Sequence, residues 1–280
     1  MPFATAHDGA KLHYSIHDYT DPWRNAPTIF LQHGFGRSGK FWFNVVPYLT
    51  RYFRVVCPDI RGLGQSVPLA KASESLTVPN CLRDLESIAD HLNLESFHLV
   101  GESIAGGLGL MFGGLYPKRI RSLVAIAPAV YANEWIRNAY AVGFPTWEEA
   151  VRTLGVEGWV RKSNTLARFP ADTDPAFLEW YAQEVGKSDV ESIAAMTKFA
   201  GSVDARPLLE KIEAPVLAIY PTSGQIATKE MEQLLLDGIR NVSVTHLRTS
   251  YQMLTMLEPA DCARQILSLA SLQEGFVARE

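Results

Sequence analysis

Cysteine is sparse in this chain and badly placed for any bonded role. The 280 residues include three, Cys57, Cys81 and Cys262, widely spaced and odd in number. That spacing makes neither a metal-ligand set nor a disulfide framework, and reduced, buried thiols point to a cytoplasmic protein. No apolar run reaches the ~18 residues that suggest a membrane-spanning helix. The N-terminus, Met1 to Gly9, lacks the basic and then apolar build of a signal peptide. Neither sign of charge dominates. Lys and Arg number 26 against 30 Asp and Glu, a net charge of −4, which offers no electrostatic basis for binding nucleic acid or an anionic membrane. Internal repeats and low-complexity tracts are missing too. The most consequential shortage is histidine: the chain has seven, and beyond residue 103 there is only His246.

What is present is a sequence that can bury a large core, 47% of it hydrophobic. Residues 3–17 read as a hairpin. Asp8-Gly9 is a turn dipeptide, and Leu12, Tyr14 and Ile16 alternate with polar neighbours. Buried strands are expected at residues 28–32 and 54–57, with a helix over residues 41–49 between them. A further helix should start at Pro79, since Leu82, Leu85, Ile88, Ala89 and Leu92 recur in three- and four-residue steps. A strand ending near Gly101, a helix over 104–116 and a strand over 122–127 follow. This alternation predicts an α/β fold, a mostly parallel sheet flanked by helices on both faces. Residues 129–205 break the rhythm. They carry Trp135, Trp147, Trp159 and Trp180 in helix-like stretches with no clear strand. They read as a helical cap inserted into a core of residues 1–128 and 206–280. Strand, helix, strand and helix then resume near 215–220, 228–237, 242–247 and 260–270.

The stretch Val100-Gly101-Glu102-Ser103-Ile104-Ala105-Gly106 carries the main chemical signal. An apolar strand meets a small-residue turn and then a Gly/Ala-rich helix. This is the context of a G-x-S-x-G elbow, a sharp turn that exposes the serine hydroxyl. Ala105 stands where the second glycine is usual, and is small enough to pass close to the neighbouring strand. In this motif the acid and the base both follow the serine in the chain.

Three motifs in order make the chain resemble the α/β-hydrolase superfamily over nearly its whole length. His33-Gly34-Phe35-Gly36 resembles the oxyanion loop, Asp59 to Ser66 the D-x-R-G-x-G-x-S turn, and Gly101 to Gly106 the elbow. The stretch His33 to Trp42 and the helical cap are similar to those of single-domain esterases, enol-lactonases and C–C hydrolases. The resemblance implies Ser103 as nucleophile and the backbone N–H groups of Phe35 and Ile104 as the oxyanion hole. It implies a pocket including His33, Gly34, Trp135 and Tyr251, a small-molecule carbonyl substrate, and neither cofactor nor metal. A homodimer is compatible with it. Such a site works because a serine attacking a carbonyl creates an oxyanion that fixed donors must stabilise.

The departures are as informative as the matches. Gly224 falls where the family's Asp is expected, and the alternative acid position, after Ala127, holds Pro128 and Ala129. Counting back from Glu258-Pro259 places Gln252 where the histidine base should be, or Tyr251 if the loop is shifted by one. His246 lies six residues before Gln252, in a predicted strand; at ~3.3 Å per residue that is roughly 20 Å away. It reads as a strand or surface histidine. His33 reads as structural, and His7, His13 and His17 as surface residues. Asp59 and Arg61 should hold their loop by an ion pair and backbone hydrogen bonds, and Glu102 should point away from the site. Serine is a poor nucleophile without a base. Three readings follow: a hydrolase with an altered constellation, which the fold favours; a lyase, isomerase or cyclase using the oxyanion hole alone; and a ligand-binding pseudoenzyme.

Overall fold

The computed structural model describes residues 2–67, 71–132, 134–164 and 167–278, without the side chains of 134 and 135. Its strands follow the apolar runs. The hairpin is β1 (Phe3–Thr5) and β2 (Lys11–His17), turned at Gly9, whose φ of +87° suits a residue without a Cβ. Then come β3 (Thr28–Gln32), β4 (Arg54–Pro58), β5 (Phe97–Glu102), β6 (Ile120–Ile126), β7 (Val216–Pro221) and β8 (Val242–Leu247). They form one sheet in the order β1-β2-β4-β3-β5-β6-β7-β8. Its first two pairs are antiparallel and the rest parallel. Every residue of β3 and β5 is buried, as central parallel strands covered on both faces require.

The helices take their places from caps and prolines. α1 (Val46–Leu49) and α2 (Ala72–Ser75) are short, and α3 (Val78–His91) begins with the Thr77 hydroxyl accepting from the Asn80 amide. α4 (Ile104–Leu115) leads from the end of β5. Between β6 and β7 the described residues hold four helices and no strand of the sheet: α5 (Glu134–Tyr140), α6 (Trp147–Ser163), α7 (Pro175–Gly186) and α8 (Val190–Ser202). α6 is kinked at Gly155, and an isolated antiparallel bridge, Tyr131 to Asp204, ties the two ends of this segment together. α9 (Lys229–Gly238), α10 (Leu254–Leu257) and α11 (Pro259–Gln273) complete the chain. Among the described residues no helix is long and apolar enough to cross a membrane.

Two expectations need correction. The single helix over residues 41–49 is a 3-10 turn, Gly39–Trp42, followed by α1. Pro47 explains the break: it has no N–H to donate and its ring clashes with the carbonyl four residues back, so a helix can only restart around it. His13 is buried rather than at the surface. The 59–66 turn folds over it: the Ser66 hydroxyl accepts from the His13 amide at 3.0 Å, and Asp59 meets the His13 ring at 2.8 Å.

Candidate active site

Four loops converge because parallel strands end on the same side of the sheet, where ligands of such folds bind. They follow β3, β5, β7 and β8. Ser103 follows β5 directly and takes φ +58° and ψ −121°, a conformation that costs a non-glycine residue about 1–3 kcal/mol. Neighbouring backbone holds it there. Its N–H donates to the Ile126 carbonyl at 2.9 Å, and its own carbonyl accepts from Gly106 at 2.9 Å and Ala129 at 3.0 Å. The turn is so tight that a Cβ on Gly101 would lie 2.2 Å from the Ala105 carbonyl oxygen.

β3 neighbours β5, which sets the loop His33 to Gly36 beside the elbow. The His33 ring is fully buried. Its Nε2 accepts from the Ile60 amide at 2.9 Å, so Nδ1 carries the proton and donates to the Gly34 carbonyl at 2.9 Å. Burial lowers the His33 pKa to about 4. The ring is therefore a neutral strut between two loops. Above Gly34 lies the Arg37 guanidinium, 2.3 Å from where a Cβ would stand. Arg37 donates to Glu102 at 2.5 Å, and the other oxygen of Glu102 accepts from the Thr255 hydroxyl at 2.9 Å. One buried carboxylate thus joins the loop after β3, the end of β5 and α10. Asp59 and Arg61 do not pair with each other. Asp59 accepts from the Gly39 and Gln65 amides, and Arg61 is bound by Asp8 and Asp84.

Ser103, Phe35, Ile104 and Gln252 line one cavity of about 50 Å³ under the α5–α8 segment. The Phe35 ring stacks on Trp147 with centroids 4.4 Å apart, so the loop after β3 and α6 share a wall. Among the described residues, the backbone N–H groups of Phe35 and Ile104 have no acceptor. Ile104 opens α4, whose first-turn amides have no partner within the helix.

Gln252, to which the count back from Glu258-Pro259 assigned the base position, is 4% exposed and lines the same cavity as Ser103. Its Nε2 donates to the Ala127 carbonyl at 2.7 Å, and its amide N–H to the Ala167 carbonyl at 2.9 Å. Its Oε1 is buried with no partner among the described residues. Among the described residues, no histidine, aspartate, glutamate, lysine or cysteine lines the cavity. Its titratable groups are Arg37, Arg137, Arg168 and Tyr140, and burial raises the Tyr140 phenol. Nothing acidic stands at Gly224, where a Cβ would lie 2.8 Å from the Pro221 ring. His246 sits on β8, largely exposed, paired with Glu232 at 2.9 Å. His33, Gly34 and Tyr251 are not among the lining residues, and the Trp135 side chain lies outside the described residues. Sequence reading missed the Arg37–Glu102–Thr255 link and the Ala127 carbonyl. The charged pair could have been suspected from an acid inside the elbow and a base inside the β3 loop; the carbonyl left no sequence signal. Among the described residues no cluster of His, Cys, Asp or Glu could hold a metal.

A family model described as alpha/beta hydrolase fold matches residues 27–233. The chain belongs to the alpha/beta hydrolase fold family. A relative from Agrobacterium fabrum, whose name assigns it provisionally as the carbamate hydrolase RutD, is 30% identical over 277 residues, 89% of this chain and 99% of the relative. A Cupriavidus necator protein named 3-hydroxybutyrate-oligomer hydrolase is 27% identical and aligns with 91% of this chain and 92% of its own length. Among solved structures, the enol-lactonase from Burkholderia xenovorans LB400 is similar, with a TM-score of 0.82 at 22% identity. That match covers 96% of this chain and 100% of the lactonase. At that identity the likeness is one of fold.

Proposed function

We propose that the protein is a hydrolase of a small carbonyl compound, an ester, an enol-lactone or an activated C–C bond. Ser103 is the nucleophile, and the N–H groups of Phe35 and Ile104 receive the oxyanion. The observation that carries this reading is the strained Ser103 turn in one cavity with Phe35 and Ile104, whose backbone N–H groups lack acceptors among the described residues. Relatives named for carbamate and 3-hydroxybutyrate-oligomer hydrolysis support it.

The chemistry runs without an imidazole. Ser103 Oγ attacks the carbonyl carbon and the carbonyl electron pair moves onto oxygen, held by the two amides. The hydroxyl proton passes to the departing atom of the substrate, directly or through a water. Gln252 cannot take it, because an amide is no proton acceptor at neutral pH. Its unpartnered Oε1 instead offers an acceptor to that water or to a substrate N–H or O–H. Positioned acid–base catalysis is worth about 10²–10⁴ in rate, so turnover should be slow by that factor.

A second reading draws on the same lining. With no imidazole or carboxylate in the wall among the described residues, the cavity suits carbonyl polarisation without an acyl-enzyme, as in a lyase, isomerase or cyclase, or ligand binding alone. Hydrolysis of 4-nitrophenyl acetate separates these. The first reading expects slow turnover by wild type and loss of it in Ser103→Ala; equal rates in both would rule out Ser103 as nucleophile.

A further inference from the structure

Among the described residues, buried guanidinium groups are matched by carboxylates, with one exception. Arg37 has Glu102, and Arg61 has Asp8 and Asp84. Arg168, 6% exposed, has no carboxylate among the described residues. Its Nη2 donates to the Tyr181 hydroxyl at 2.7 Å and its Nη1 to the Ser163 hydroxyl at 3.2 Å. The guanidinium lies 5.7 Å from the Tyr140 ring centroid and 5.4 Å from that of Tyr181. All four contacts are with neutral groups. A buried charge with no counter-charge is costly, and chains keep one where something else supplies the opposite charge.

Arg168 lines the Ser103 cavity. The balance of charge there is one-sided. Among the described residues, Arg37, Arg137 and Arg168 line it, no acid does, and of the three only Arg37 is paired with a carboxylate. Trp147, another lining residue, has a buried indole N–H without an acceptor among the described residues. Aromatic rings fill much of the remainder. A planar carboxylate suits such a place, because it meets a guanidinium fork in two parallel hydrogen bonds.

We infer that Arg168 is a specificity residue and that the substrates are small carbonyl compounds carrying a free carboxylate, which Arg168 binds while the reacting carbonyl lies at Ser103. The inference rests on the reading of the Ser103 cavity as the substrate site, but its test does not depend on turnover.

The experiment is calorimetric binding of glutarate and of its neutral diamide, with wild type and with Arg168→Met and Arg168→Lys. Wild type should bind glutarate and not the diamide. Charged hydrogen bonds of this kind are worth about 10–100-fold in affinity, so Arg168→Met should lose about that factor and Arg168→Lys should recover part of it. Removing an unpaired buried charge for a side chain of similar length should leave the free protein as stable as wild type or more so. Should Arg168→Met fail to fold, the wild-type comparison of acid with diamide still decides. Equal binding of the two, or glutarate affinity unchanged in Arg168→Met, would overturn the assignment. Glutarate binding lost with Arg168 in a protein that turns over no ester would leave this inference standing and remove the hydrolase reading.

Discussion

Gln252 and the Ala127 carbonyl form the most unusual pair in the site. In a serine hydrolase of this fold an imidazole would sit between the nucleophile and an acid. Here an amide sits between the serine cavity and a main-chain oxygen, 2.7 Å from Gln252 Nε2. The carbonyl can orient a ring N–H as it orients the amide, so a histidine at 252 already has its anchor. We expect Gln252→His alone to raise 4-nitrophenyl acetate hydrolysis by about 10²-fold or more, and to bring a pH step near ~6.5, the ordinary histidine value. An acid at 224 is neither needed nor accommodated, given the 2.8 Å approach to Pro221. A stopped-flow pH profile checks this; a folded variant with wild-type rate and no step would show that residue 252 does not face the serine. This residue-level arrangement was half legible. The count back from Glu258-Pro259 found Gln252, since prolines fix helix starts, but a backbone carbonyl partner has no side-chain signature.

Elements are joined at the site by Glu102. It belongs to β5, while Arg37 lies in the loop after β3 and Thr255 in α10. With Glu102 and Arg37 both nearly fully buried, removing one partner strands the other charge. Glu102→Ala should lower stability by about 3–5 kcal/mol, and Glu102→Leu with Arg37→Met should recover most of the loss. Urea denaturation measures both; additive effects in the double variant would mean that the two do not interact. Strands and their order of appearance were readable because buried parallel strands give continuous apolar runs. The helix over residues 41–49 was not, because apolar periodicity carried the reading past Pro47. The hairpin's register was clear from Asp8-Gly9, but the burial of His13 depended on the distant 59–66 turn, which no local pattern announces.

At the scale of the whole molecule, buried neutral histidines set the acid limit. Burial lowers His33 to about 4 and His98 to about 3, and lowers His17 as well. Their folded pKa values lie below the unfolded ~6.5. As the pH falls below that value the unfolded chain takes up protons that the folded one does not, so stability decreases. Between pH ~6.5 and ~5, above the ordinary carboxylate values, these rings should dominate, with a slope approaching about 1.4 kcal/mol per pH unit for each fully buried ring. Unfolding free energies measured across that range should fall steadily on acidification; a flat profile would contradict the neutral, buried state of His33 and His98.

The central claim is that Ser103 is a nucleophile that works without a histidine base. Reaction with a fluorophosphonate, followed by intact-protein and peptide mass spectrometry over pH 5–9, tests it most directly. The account predicts a single slow adduct on Ser103, absent in Ser103→Ala, with a rate that shows no step near ~6.5. No adduct on Ser103 in the folded protein, or an adduct whose rate rises through a step near that value, would contradict it.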